Sequence, residues 1–136
     1  MRRIDLIVVH CSATREDRRY RVTTLIADHA RRFGFTGYHY YITRGGWVYQ
    51  TRHEQLVGAH AKGYNSHSLG VCYEGGLNTK GEPADTRTPR QKRALLRLLK
   101  RLKLEHPQAR IVGHRDLPGV HKACPCFDAT AAYQGL

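Results

Sequence analysis

Two apolar runs near opposite ends of the chain, Ile4–Val9 (IDLIVV) and Ala109–Gly113 (ARIVG), each lead directly into a histidine, His10 and His114. Both runs are short and rich in β-branched residues, so they read as strands of a buried sheet. Between them, residues 23–33 (TTLIADHARRF) carry a helical pattern that Gly34 ends. Residues 38–43 and 47–51 then form an aromatic, β-branched hairpin around Arg44-Gly45-Gly46, whose glycines supply positive φ, and 69–74 (LGVCYE) make a further strand. Thr88-Pro89-Arg90-Gln91 presents an N-cap, a proline at the first helical position and a glutamine three after the cap. The helix that follows puts Leu95, Leu98, Leu99 and Leu102 on one stripe and ends before Pro107. This order of strands and helices predicts an α/β fold: one domain over residues 1–136 with a central mixed β-sheet flanked by helices.

Composition removes several alternatives. The chain is 40% hydrophobic but has no apolar run near the eighteen or so residues that span a bilayer, so a soluble protein with no membrane insertion is expected. The start, MRRIDLIVVHCSA, imitates a signal peptide, yet Asp5 interrupts it and Leu6–Val9 is too short for an apolar core region. A cytoplasmic protein follows as the expectation, with its four cysteines as thiols or ligands rather than disulfides. The 23 Lys and Arg against 11 Asp and Glu give a net charge of +12, which favours polyanions without choosing among nucleic acid, an anionic membrane surface and an anionic wall polymer. Charge is the sole support for nucleic-acid binding, because no zinc-finger spacing or aromatic-interleaved basic motif is present.

A ligand-capable side chain at the end of a buried strand sits on a sheet rim, aimed by rigid backbone. One such histidine has an ordinary structural reading. Two, with the segment HKACPC (His121–Cys126) shortly after the second, point to a metal. Zinc takes imidazole nitrogen and thiolate sulfur, and a catalytic site uses three protein ligands and leaves one position open. His10, His114 and one cysteine meet that count. Pro125 makes simultaneous ligation by Cys124 and Cys126 awkward, while His121 with Cys124 is itself a plausible ligand spacing. Cys11 should face away from His10 by strand alternation and pack as a small core residue, and Cys72 reads as a buried thiol.

The stretches VVHCSAT, GYHYYITRGG, GAHAKGYNSHSLGVC and KACPCFD follow one another along the chain. Together they resemble the zinc-dependent N-acetylmuramoyl-L-alanine amidases of the type 2 amidase and peptidoglycan-recognition-protein superfamily, especially phage amidase endolysins, from about Ile4 to Asp128. The resemblance implies one Zn2+ per chain and hydrolysis of the amide between N-acetylmuramic acid and L-alanine, with peptidoglycan as the partner and a monomeric chain. It places the metal ligands at His10, His114 and Cys124, leaving His121 and Cys126 unused, and the catalytic groups at Tyr38 and Lys122. Zinc would activate water and polarise the carbonyl, while a phenol and an ammonium would stabilise charge developing in the transition state. His60, Lys62 and Asn65 fall along the implied substrate groove, with His60 a substrate contact or a neighbour of the ligands. An endolysin without an export signal would reach the wall through a membrane lesion of the holin kind. A recognition protein that binds peptidoglycan without cleaving it is the alternative on this fold, and such members typically lack the cysteine ligand. His39 is expected to alternate away from Tyr38 and to be structural. His29, His53, His67 and His106 join no constellation.

Overall fold

The computed structural model describes all 136 residues. Its elements follow the order β1 (Leu6–Cys11), β2 (Thr14–Arg15), α1 (Val22–Phe33), β3 (Tyr40–Ile42), β4 (Val48–Gln50), β5 (Ser68–Tyr73), β6 (Gly76–Leu77), α2 (Pro89–Glu105), β7 (Arg110–Gly113) and α3 (Ala129–Tyr133). Five strands form one sheet in the order β4-β3-β5-β1-β7, in which β3, β5, β1 and β7 are parallel and β4 runs antiparallel at the edge. The expected mixed sheet with flanking helices is therefore present. β1, paired on both sides, is buried at all six positions.

Alternation along the strands divides the core in two. One face carries Ile7, Val9, Tyr40, Ile42, Leu69, Val71 and Tyr73, and α2 covers it with Leu95, Leu98, Leu99 and Leu102. All four leucines are buried, each a contribution of about 1.5–3 kcal/mol. The other face carries Leu6, Val8 and Val112 against Ala61 and Leu117, and further along Tyr41 and Cys72 against Leu25 of α1. His10 shares the parity of Leu6 and Val8, so it emerges on this second face, between α1 and the loops around Ala61 and Leu117.

Helix ends follow their chemistry. Gly34 closes α1 in the left-handed region at φ 81°, and Thr88 with Gln91 makes the full capping box on α2. Three sequence expectations are revised. In the hairpin turn only Gly46 has positive φ, at 85°. β3 starts at Tyr40, two residues later than expected: His39 O is shared between the Thr51 and Arg52 amides, which breaks the regular pairing, and Tyr38 is still in the connecting segment. The small β2–β6 ladder and α3 were not foreseen, being too short to show a periodic pattern.

Candidate metal centre and active site

β1 and β7 pair with Val9 opposite Gly113, so His10 and His114 leave neighbouring strands at the same level. Their ring centroids are 4.5 Å apart. Cys124 is delivered by the long connection after β7, which is tied back by Arg115 N–H donating to Cys124 O at 2.8 Å and Tyr73 Oη–H donating to Pro125 O at 2.6 Å. The Cys11 amide then donates to Cys124 Sγ at 3.2 Å, and His10 Nδ1 lies 3.9 Å from the same sulfur. One donor atom each from His10, His114 and Cys124 falls within 4.8 Å of the others.

The rest of HKACPC goes elsewhere. His121 is exposed, and Cys126 turns its thiol onto Cys11, with the two sulfurs 3.9 Å apart. Cys126 sits at φ 68°, the reversal that takes it off the path Cys124 follows. Burial pushes the Cys126 thiol up to about 12. Cys11 packs in the large core and Cys72 is fully buried beside Tyr41, as strand alternation and ordinary thiol burial predict.

Burial holds the His10 imidazole well below its usual range, with His60, His114 and the Lys122 charge acting in the same direction. His114 is lowered too, first by burial and then by Lys122. Both rings are therefore neutral, the form that offers a nitrogen lone pair to a metal. Two neutral imidazoles and a cysteine sulfur with their donor atoms within 4.8 Å of one another suit zinc. A second grouping, Glu54, Glu105 and His106, offers less: His106 is already paired with Glu54 at 3.1 Å, and Glu54 also accepts from the Tyr40 hydroxyl.

Tyr38 and Lys122 both come to this centre. The Tyr38 ring lies 5.1 Å from the His10 ring, and burial followed by the neighbouring Cys72 keeps the phenol protonated, well above its ordinary pKa. Lys122 is exposed, and its charge adds to the lowering of both His10 and His114. His39 does not take the opposite side from Tyr38, since both precede the regular strand. Its ring is 5.8 Å from His60, with Nδ1 accepting from Gly70 N–H at 3.0 Å and Nε2 donating to Leu56 O at 2.8 Å. Its structural assignment stands.

The expected substrate residues separate. His60 Nδ1 meets His10 Nε2 at 2.9 Å, so His60 lies against the candidate ligand His10. Asn65 Oδ1 accepts from the His60 and Ala61 amides, both at 2.9 Å, and its carbonyl is spent inside the loop. Lys62 projects to solvent. His29 is a residue the sequence did not single out: its ring lies 5.2 Å from Tyr38 and its Nδ1 accepts from Gly37 N–H at 2.8 Å. Helix α1 gives no pattern that would have marked it.

A family profile described as N-acetylmuramoyl-L-alanine amidase matches residues 1–127. The endolysin of Klebsiella phage KP32 is 42% identical over 123 residues, covering 90% of this chain and 80% of that protein. The endolysin of Escherichia phage T7 is 40% identical over 125 residues, covering 91% and 82%. Among solved structures, N-acetylmuramoyl-L-alanine amidase LysC from Clostridium intestinale URNW superposes with a TM-score of 0.78 at 27% identity, covering 95% of this chain and 80% of that one. With its strand-end histidines, its single convergent cysteine and a profile match over nearly its whole length, the chain belongs to the N-acetylmuramoyl-L-alanine amidase family.

Proposed function

We propose that this protein is a zinc amidase of the endolysin type, which hydrolyses the amide between the lactyl group of N-acetylmuramic acid and L-alanine in bacterial peptidoglycan. The observation that carries the reading is the convergence of His10, His114 and Cys124 within 4.8 Å beside the Tyr38 phenol. Zinc, when held by those three residues, supplies Lewis acidity towards a water and a substrate carbonyl. The remaining work falls to the chain. Tyr38, kept protonated by burial, is an O–H donor for an oxyanion forming at the carbonyl. Lys122 brings a positive charge to the solvent side of the same point, where it favours negative charge that develops only in the transition state. Burial of His10 at 2% exposure excludes bulk water behind the site, which strengthens both effects. Release to the wall at lysis fits the phage relatives, and no helix of the structure is long and apolar enough to cross a membrane.

The test is mass spectrometry of products from purified peptidoglycan, alongside metal analysis. The expected result is new N-terminal L-alanine with no new reducing sugar ends, one zinc per chain, and activity lost to a chelator and restored by zinc. New reducing ends would make the protein a glycosidase and sink the proposal. Wall binding and bound zinc without any product would return it to the recognition proteins.

A further inference from the structure

Within the longest of the motif segments, Gly58–Gly70 (GAHAKGYNSHSLG) makes a set of internal contacts around His60. Its geometry converges on one bond, His10 Nε2 to His60 Nδ1 at 2.9 Å, between rings that stand perpendicular with centroids 5.0 Å apart. His10 Nδ1 is the nitrogen on the Cys124 side. For that nitrogen to present a lone pair to a metal, the proton of a neutral imidazole has to sit on Nε2. His10 Nε2–H then donates to His60 Nδ1, and His60 in turn carries its own proton on Nε2. Ser68 Oγ, 3.2 Å from His60 Nε2, is the acceptor for it. The three groups form a one-directional chain that ends on the β5 strand.

The rest of the segment fixes His60 in that line. Asn65 Oδ1 holds the backbone on both sides of the His60 side chain through the His60 and Ala61 amides. Gly70 lies under the ring: a Cβ there would come 2.6 Å from His60 Cγ. A Cβ on Gly58 would meet Gly37 O at 2.4 Å and His60 Cδ2 at 3.1 Å. Gly70 N–H is itself held by His39 Nδ1. A substrate-binding histidine would need a free nitrogen facing the cleft, and both nitrogens of His60 are committed inward.

We propose that His60 is a positioning residue that sets the tautomer and ring orientation of His10, with Ser68, Asn65 and Gly70 as its seat. This rests on the zinc reading above. Residues that orient a metal-ligating histidine typically change metal affinity or activity by about 10–100-fold when removed.

The experiment measures zinc affinity by chelator competition for the wild type, His60→Ala, His60→Asn and Ser68→Ala, with circular dichroism to confirm folding. Kinetics on a soluble muramyl peptide accompany it. Asparagine is the conservative variant because its Oδ1 can accept where Nδ1 did. The expected result is zinc bound about 10–100-fold more weakly by His60→Ala, substantial recovery in His60→Asn, and an intermediate loss in Ser68→Ala. At saturating zinc, KM stays near wild type. Wild-type zinc affinity in His60→Ala, with a raised KM, would overturn the proposal in favour of a substrate contact. Should His60→Ala not fold, wild-type affinity in Ser68→Ala overturns it equally. Failure of the wild type itself to bind zinc would instead strike the metal reading, so the two failures are distinguishable.

Discussion

Lys122 and Cys124 lie on one short segment, yet their removal should fail in different ways. Cys124→Ala takes away a ligand, so zinc content and turnover fall together, whereas Cys126→Ala and His121→Ala keep both because neither side chain joins the ligand cluster. Lys122→Ala and Tyr38→Phe leave the three ligands intact. Zinc content and wall binding should persist while turnover drops by up to about 10²–10³, the usual cost of one oxyanion-type donor. Metal analysis beside single-turnover rates separates the classes, and near-normal rates in both variants would remove these groups from the mechanism. His39 gives a stability prediction. Burial depresses its imidazole to about 4 from the ordinary 6.5. The unfolded chain therefore takes up a proton between those values that the folded ring refuses. Stability should be full above about pH 6.5 and fall as the pH drops towards 4, by at most about 1.4 kcal/mol per pH unit from this group. Urea unfolding at pH 7 and pH 5 should show the fall, and His39→Gln should reduce the difference.

At the scale of elements, α2 is fastened to the sheet by polar groups as well as by its leucine stripe. Thr88 Oγ1 accepts from Gln91 N–H at 3.1 Å and donates to Arg44 O at 2.7 Å. Gln91, fully buried, accepts from Thr88 N–H through Oε1 and donates through Nε2 to Ile42 O and Glu74 O, at the ends of β3 and β5. One capping box thus also closes the tips of two parallel strands. Thr88→Ala should cost about 0.5–2 kcal/mol as a lost cap. Gln91→Ala should cost about 1–3 kcal/mol, since it leaves the Glu74 carbonyl without its donor, while Ile42 O keeps the Glu74 N–H. Leu99→Ala, a pure core deletion, sets the scale at about 2–5 kcal/mol. Chemical denaturation ranks the three, and a Gln91→Ala effect no larger than a surface change would show that water replaces the amide there.

Over the whole molecule, the +12 charge bears on where the enzyme resides on its substrate rather than on its chemistry. Arg18, Arg19, Arg21 and Arg44 line a cavity of about 600 Å³ beside the start of α1 together with Glu16, Asp17 and Glu74, with Trp47 71% exposed at its edge. The candidate ligands His10, His114 and Cys124 lie outside it. Retention on isolated cell walls should weaken steadily as salt rises, because exposed charges are screened within about 10 Å at 0.1 M. Reversing Arg18, Arg19 and Arg21 to glutamate halves the net charge and should lower retention at low salt while hydrolysis of a small soluble muramyl peptide is unchanged. Equal loss of both would place these arginines in the catalytic groove.

The residue pattern was enough to predict the elements and to point to the candidate ligand types. β-branched runs ending in His10 and His114, the Thr88 to Gln91 cap and the leucine stripe are local signals, each written within a few neighbouring residues and each realised in the fold. The family resemblance then singled out Cys124, Tyr38 and Lys122. Tertiary structure decided what depends on long-range direction. The pairing of β1 with β7 sets the two histidines level, and the path through Pro125 aims Cys124 at His10 while Cys126 turns to Cys11. It also moved Asn65 into the loop interior, placed His29 against Tyr38 and gave His60 to His10 instead of to solvent. The sequence left His60 between a substrate contact and a neighbour of the ligands and gave no sign of the Asn65 and His29 contacts, because a side chain's partner across fifty residues is set by how strands register and loops close, and a motif records only that a residue is needed, not which way it points.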